Sequence, residues 1–206
     1  MTQSTNVTDQ DIYVVTGLPR SGTSLMMSML AAAGMNLLTD GLREADVSNP
    51  HGYYEYELVK EMKAGKTEWL QQARQRCVKI VSPLLSYLPS SFTYKIIFMQ
   101  RNLDEVIASQ AKMLKDNHQA ANHDQDREMI KAFTNHLDRV KNWLAVQTNM
   151  QVFYVSYNEL LQNPQTILPG LVDFLHLPLN SHAMLDAIDP RLYRNRLESK
   201  TMVQAN

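Results

Sequence analysis

Residues 17–24 read Gly17-Leu18-Pro19-Arg20-Ser21-Gly22-Thr23-Ser24. Ahead of them, Ile12 to Thr16 is a β-branched and aromatic run that predicts a buried strand ending at Gly17. Behind them, Thr23 to Ala33 is rich in Leu, Met and Ala, which predicts a helix stopped by Gly34. A glycine-bearing turn from strand into helix is a receptor for anions. Its glycines let the backbone wrap an oxyanion, and the helix start offers unpaired N–H groups at the positive end of the dipole. Thr23 and Ser24 add hydroxyl donors at the same point.

Outward from this turn the chain alternates strand and helix. Leu37 to Tyr54 mixes Asp, Asn, Pro and Gly and reads as a long irregular loop; Glu55 to Arg74 reads as a helix weakened by Gly65. Val78 to Val81 is a second strand, followed by a proline-containing segment to Pro89. Tyr94 to Met99 is the clearest strand, and Leu103 to Leu114 the helix after it, with Asn102 as N-cap. Asp116 to Asp126, with Asn, His, Gln and Asp crowded together, is expected to form a mobile excursion. Apolar residues at Ile130, Phe133, Leu137, Val140 and Leu144 predict a helix from Arg127 to Gln147. A strand over Gln151 to Val155 and helices over Asn158 to Leu161 and Thr166 to Leu175, with Pro164 between them, complete the pattern. Strands alternating with helices imply an α/β fold: a P-loop-like parallel sheet flanked by helices on both faces. One domain over residues 1–206 is expected, with a loose tail at 1–10 and a C-terminal arm over 190–206.

Composition narrows the function classes. Of 206 residues, 44% are hydrophobic and 20% charged, ordinary values that exclude wholesale disorder. A net charge of −1 argues against a protein that coats nucleic acid, so an anionic ligand must be held by a few placed basic residues. The apolar stretch around Leu25 to Leu38 is too short and too interrupted by Ser28, Gly34 and Asn36 to span a bilayer. The polar start, Met1 to Asp11, carries no secretory signal pattern. One cysteine, Cys77, excludes an internal disulfide and a multi-cysteine metal site, and a cytoplasmic setting is expected.

The outer spacing of the loop fits the triphosphate-binding pattern G-x-x-x-x-G-K followed by Ser or Thr, through Gly17, Gly22 and Ser24. The lysine that neutralises the β- and γ-phosphates is replaced by Thr23, and the nearby cation is Arg20. This rearranged charge suits a different anion. The stretch Pro19-Arg20-Ser21-Gly22-Thr23-Ser24 resembles the 5′-phosphosulfate loop of sulfotransferases that use 3′-phosphoadenosine 5′-phosphosulfate (PAPS). A second match is Arg101 to Ser109, Arg-Asn-Leu-Asp-Glu-Val-Ile-Ala-Ser, where the family has an arginine past a central strand and a serine eight residues on. By the resemblance, Arg101 and Ser109 bind the 3′-phosphate, while Pro19, Arg20, Ser21, Gly22, Thr23 and Ser24 bind the phosphosulfate. Two turns of helix separate Arg101 from Ser109, so both could reach one phosphate. A third match, Tyr157 to Pro164 and Phe174 to Leu177, reads as core and turn. Absence of the C-terminal R-K-G-x-x-G-D-W-K element makes the likeness one to the bacterial and carbohydrate-type branch.

The resemblance implies transfer of a sulfuryl group to a hydroxyl of a small molecule or carbohydrate, with no metal required. Such chemistry needs alignment, a proton acceptor and stabilisation of the leaving phosphate, the last supplied by the loop donors and Arg20. Asn49 to Glu55, Asn-Pro-His-Gly-Tyr-Tyr-Glu, resembles the acceptor-side segment of bacterial relatives. Glu55 is the first candidate base and His51 the second, its ordinary pKa near ~6.5 suiting proton transfer; Glu55 could equally only cap the helix it begins. Tyr53, Tyr54 and Tyr56 could line an acceptor pocket. Lys79 stands near a position where some relatives turn a lysine toward the sulfate, though the following proline is displaced. The remaining histidines, His136 among them, read as solvated, as does the basic cluster Arg191, Arg194, Arg196 and Lys200. The rival functions are a P-loop kinase or nucleotide hydrolase, and a nucleotide-binding module without turnover.

Overall fold

The computed structural model describes residues 10–43, 45–46, 52–116 and 126–189. His51, the expected tail, the centre of the expected excursion and the C-terminal arm lie outside them. Four strands, β1 (Ile12–Gly17), β2 (Cys77–Lys79), β3 (Tyr94–Gln100) and β4 (Met150–Ser156), form one sheet in the order β2-β1-β3-β4, and every pair is parallel. Parallel strands need covered faces, and the alternation of side chains supplies two. Tyr13, Val15, Ile97, Met99 and Val155 point to one side, against Met26, Met27 and Leu30 of helix α1 (Thr23–Ala32). Ile12, Val14, Val78, Ile80, Ile96 and Phe98 point to the other, against Trp69, Leu70, Leu85 and Leu144. This is the expected α/β sheet with both faces covered.

Helix α2 (Leu103–Asp116) follows β3, and its first turn is closed by Asn102, whose Oδ1 accepts from the Asp104 N–H at 2.8 Å. Helix α3 (Asp126–Leu144) covers the second face, and α4 (Tyr157–Gln162) starts at the end of β4. The two expected helices are present, and Pro164 lies not between them but as the first residue of α5 (Pro164–Leu175), where a missing N–H costs nothing. A short α6 (Ser181–Asp186), capped by Asn180, had no counterpart in the sequence reading. Among the described residues no helix is long and apolar enough to cross a membrane.

The expected helix over Glu55 to Arg74 is replaced by two 3₁₀ segments, Glu57–Ala64 and Glu68–Ala73. Gly65, at φ 79°, turns left-handed and ends the first. Burial explains the tighter winding: Val59 and Met62, and Leu70 and Ala73, are buried three residues apart, the period at which 3₁₀ side chains fall on one line. A third 3₁₀ segment, Ser82–Tyr87, accounts for the proline-containing stretch.

The chain leaves β1 toward β2, then crosses β1 to reach β3. Strand order therefore reverses between β1 and β3, and the crevice at their carboxyl ends is where open α/β sheets take ligands. There Gly17 pairs with Met99 at φ 152°, and a Cβ on it would lie 2.4 Å from Ser21 Oγ and 2.7 Å from the Met99 carbonyl oxygen. Backbone cannot yield there as a side chain can. Gly17→Ala is expected to destabilise the fold by about 2–4 kcal/mol in equilibrium denaturation, more than the same change at the exposed Gly41, where the Cβ meets open space and only the left-handed φ of 67° opposes it.

Candidate active site

The loop between β1 and α1 carries the anion-binding features in its backbone. Gly22 is the N-cap of α1, no side chain caps that helix, and no acidic residue lies in its first turn. Its amide donors and dipole thus remain available to an anion. Ser21 is buried, and its Oγ has no hydrogen-bond partner among the described residues. A buried hydroxyl in a phosphate-type loop is the kind of donor that a bound oxyanion satisfies, and the loop chemistry fits a phosphosulfate. Pro19 is exposed at the crest of the loop; Thr23 is buried and Ser24 half-buried in the first helical turn.

Arg20 adopts a left-handed conformation, φ 70°, unusual for a residue with a Cβ. Two contacts to the start and body of α2 accompany it. Arg101 Nη1 donates to the Arg20 carbonyl at 3.2 Å, and Arg20 Nε donates to Ser109 Oγ at 3.0 Å. Burial lowers the Arg20 pKa from its ordinary value, and the neighbouring positive charge of Arg101 adds to the depression. Ser109, expected to join Arg101 on one phosphate, accepts from the loop arginine through its Oγ and keeps its O–H as a donor.

Arg101 itself is deeply buried. Its Nε donates to Glu105 Oε2 at 2.9 Å, and its guanidinium lies 4.3 Å from the ring centre of Tyr157. The same ring presses on Gly22, where a Cβ would fall 2.3 Å from Tyr157 Cδ2. Tyr157, read from the sequence as core, thus supports both the loop and the arginine. Glu105 and Asn158 were not singled out by sequence, and only an acidic residue one turn after Arg101 could have signalled the first.

Residues 9–206 match the family model for the sulfotransferase domain. The chain belongs to the sulfotransferase family. It is 26% identical to human sulfotransferase 2B1 over 193 residues, which cover 87% of this chain and 50% of that protein. The chain therefore spans about half the length of the curated relatives it matches. Among solved structures it is similar to the sulfotransferase domain of the Synechococcus PCC 7002 olefin synthase, at 16% identity, TM-score 0.53, with 91% of this chain and 80% of that one covered. A mouse sulfotransferase complexed with PAP is similar at 16% identity, TM-score 0.50, with 89% of this chain and 63% of that one covered. These structural likenesses concern the fold.

A second constellation of this sulfotransferase-family chain flanks the loop on the β2 side. Lys79 ends β2 opposite Val15, two residues before the loop. It is buried; its Nζ donates to the Tyr53 carbonyl and lies 3.7 Å from Glu55 Oε1. Arg43 Nη1 meets the same Glu55 oxygen at 3.0 Å, and its guanidinium stacks 3.3 Å from the Tyr53 ring centre. Tyr53 in turn donates to Asp46 Oδ2 at 2.7 Å. Glu55 does not begin a helix; the 3₁₀ segment starts at Glu57, so the capping alternative loses its geometry. Lys79, weakly marked in the sequence, is brought squarely against Glu55. His136 departs from the solvated reading: it is half-buried and pairs with Ser82 Oγ at 2.9 Å, and burial lowers its pKa.

Burial pulls the Lys79 pKa down to about 8, with Glu55 opposing and Arg43 reinforcing the fall. The folded pKa lies below the unfolded one, so the unfolded chain holds the extra proton between about pH 8 and the ordinary lysine value. Stability must rise with pH across that window. Lys79→Met is expected to abolish a gain of about 1–3 kcal/mol between pH 7.5 and 9.5, read by urea denaturation as the difference between the two proteins.

Proposed function

We propose that the chain transfers a sulfuryl group from PAPS to a hydroxyl acceptor. The observation that carries this reading is the meeting of the two candidate anion-binding segments at one strand edge. Arg101, at the end of β3, and Ser109, within α2, both contact Arg20 of the loop. The mouse relative complexed with PAP, the bisphosphate that sulfuryl transfer leaves behind, supports the same ligand here. The loop N–H groups, Ser21, Thr23, Ser24 and Arg20 hold the phosphosulfate and stabilise negative charge on the leaving phosphate. Arg101 faces the 3′-phosphate as a charge-assisted donor, and Ser109 orients Arg20 beside it.

On the acceptor side, Glu55 takes the hydroxyl proton. Both of its ionic contacts fall on Oε1, so Oε2 carries neither of them. Lys79 adds positive charge where the transferring group gains negative charge. His51 remains the second candidate for the base. The open cleft beside Glu55 is lined by Asp40, Leu42, Arg43, Glu57 and Lys60, a mixed-charge wall that favours a polar, polyhydroxylated acceptor such as a carbohydrate over a flat apolar one. A reducing cytoplasm goes with this reading, Cys77 being buried and unpaired with another cysteine.

Calorimetry is expected to show 3′,5′-adenosine bisphosphate binding at micromolar affinity or tighter without Mg²⁺, and ATP–Mg²⁺ binding more weakly. Tight ATP–Mg²⁺ binding with no heat from the bisphosphate would point to the kinase or hydrolase reading. An acceptor screen with labelled PAPS then allows a test of the base. Glu55→Gln is expected to lower turnover by about 10²–10⁴-fold with bisphosphate affinity kept; a larger loss in His51→Ala than in Glu55→Gln would move the base to His51.

A further inference from the structure

We infer that Glu105 is a positioning residue that aims Arg101, so that discrimination for a 3′-phosphorylated nucleotide depends on a carboxylate that never meets the ligand as a donor. The inference rests on the reading that Arg101 faces the 3′-phosphate.

A carboxylate beside an anion site is electrostatically unfavourable for the anion, and Glu105 is nearly inaccessible to solvent, at 3% exposure. Its place there demands a role that offsets the repulsion. The geometry supplies one. Both carboxylate oxygens are engaged: Oε2 accepts from Arg101 Nε at 2.9 Å, and Oε1 accepts from Asn158 Nδ2 at 2.9 Å. Glu105 is therefore fixed from the opposite side by the start of α4 and cannot follow Arg101 if the arginine swings. Arg101 is held in three directions, by this carboxylate, by the Tyr157 ring beneath its guanidinium, and by the Arg20 carbonyl. A long side chain with many rotamers is thus ordered before any ligand arrives, which removes that ordering cost from binding. The carbonyl contact extends the chain of restraint to Arg20, whose left-handed backbone places its own guanidinium on Ser109. Glu105, Arg101, Arg20 and Ser109 thus form one continuous chain of contacts.

The test compares 3′,5′-adenosine bisphosphate with adenosine 5′-monophosphate, which differ only in the 3′-phosphate, by calorimetry on the full chain. Wild-type protein is expected to prefer the bisphosphate. Arg101→Ala and Glu105→Ala should each reduce that preference about ten-fold or more, with monophosphate affinity within about three-fold of wild type, and the double variant should be no worse than Arg101→Ala alone. Glu105→Asp, which keeps the charge one methylene short, should recover part of the preference. If Glu105→Ala does not fold, Asn158→Ala serves instead: it removes the rear anchor of the carboxylate without changing the charge, and should lower the bisphosphate preference while leaving monophosphate affinity unchanged. An unchanged preference in these variants, multiplicative losses in the double variant, or tighter bisphosphate binding by Glu105→Ala would overturn the positioning role. An unchanged preference in Arg101→Ala would instead refute the 3′-phosphate reading on which it rests.

Discussion

Gly17 sits beside Met99 across the two central strands, with less space between them than a single methyl group requires. That approach sets the height at which β1 and β3 end, and with it the floor of the site. The loop leaves from one strand end and Arg101 follows the other, so two basic residues far apart in sequence arrive at one edge. A chain with a net charge of −1 has no bulk attraction for anions to draw on. It concentrates positive charge by topology, at the one crevice where strand order reverses.

Placing two guanidinium groups together carries an electrostatic cost, and the neighbourhood shows how it is met. Glu105 compensates Arg101, Tyr157 presents the negative face of its ring, and the Arg20 carbonyl accepts a further contact. Arg20 itself is turned left-handed, a strained state that persists where its surroundings determine it. Here those surroundings are Arg101 and Ser109. The strain at Arg20 and the placement of the two guanidinium groups thus share one cause.

The surroundings of Glu55 are built differently, with Arg43, Asp46, Tyr53 and Glu55 all outside the named helices and strands. Their order comes from charge and stacking: Arg43 on Tyr53, Arg43 and Lys79 on Glu55, Tyr53 on Asp46. Lys79 ties these residues to the sheet, since it belongs to β2 yet donates to the Tyr53 carbonyl. Interactions of this kind are weak singly when exposed, and gain weight at Lys79 because burial removes competing water.

The strand-turn-helix with its glycines, the strands around Tyr94 and Gln151, and the parallel α/β class are legible in the order of the residues alone. Each of these is written in local patterns: β-branched runs, a helix-forming stretch, a stop glycine. The sequence also placed Arg20 and Arg101 at strand ends, because an end is a local property. It misjudged residues 55–74, where α-helical composition yields to burial at three-residue spacing; it placed Tyr157 in the core, where it lies, without its contacts to Gly22 and Arg101. Only the tertiary structure decided that Arg20 reaches Ser109, that Glu105 reaches Asn158, and that Lys79 reaches Tyr53 and Glu55. Those partners lie 89, 53 and 26 residues apart for the three hydrogen-bonded pairs. No periodicity spans such distances; the strand order β2-β1-β3-β4 brings them together, and strand order is a property of packing, which the spacing of residues along the chain does not record.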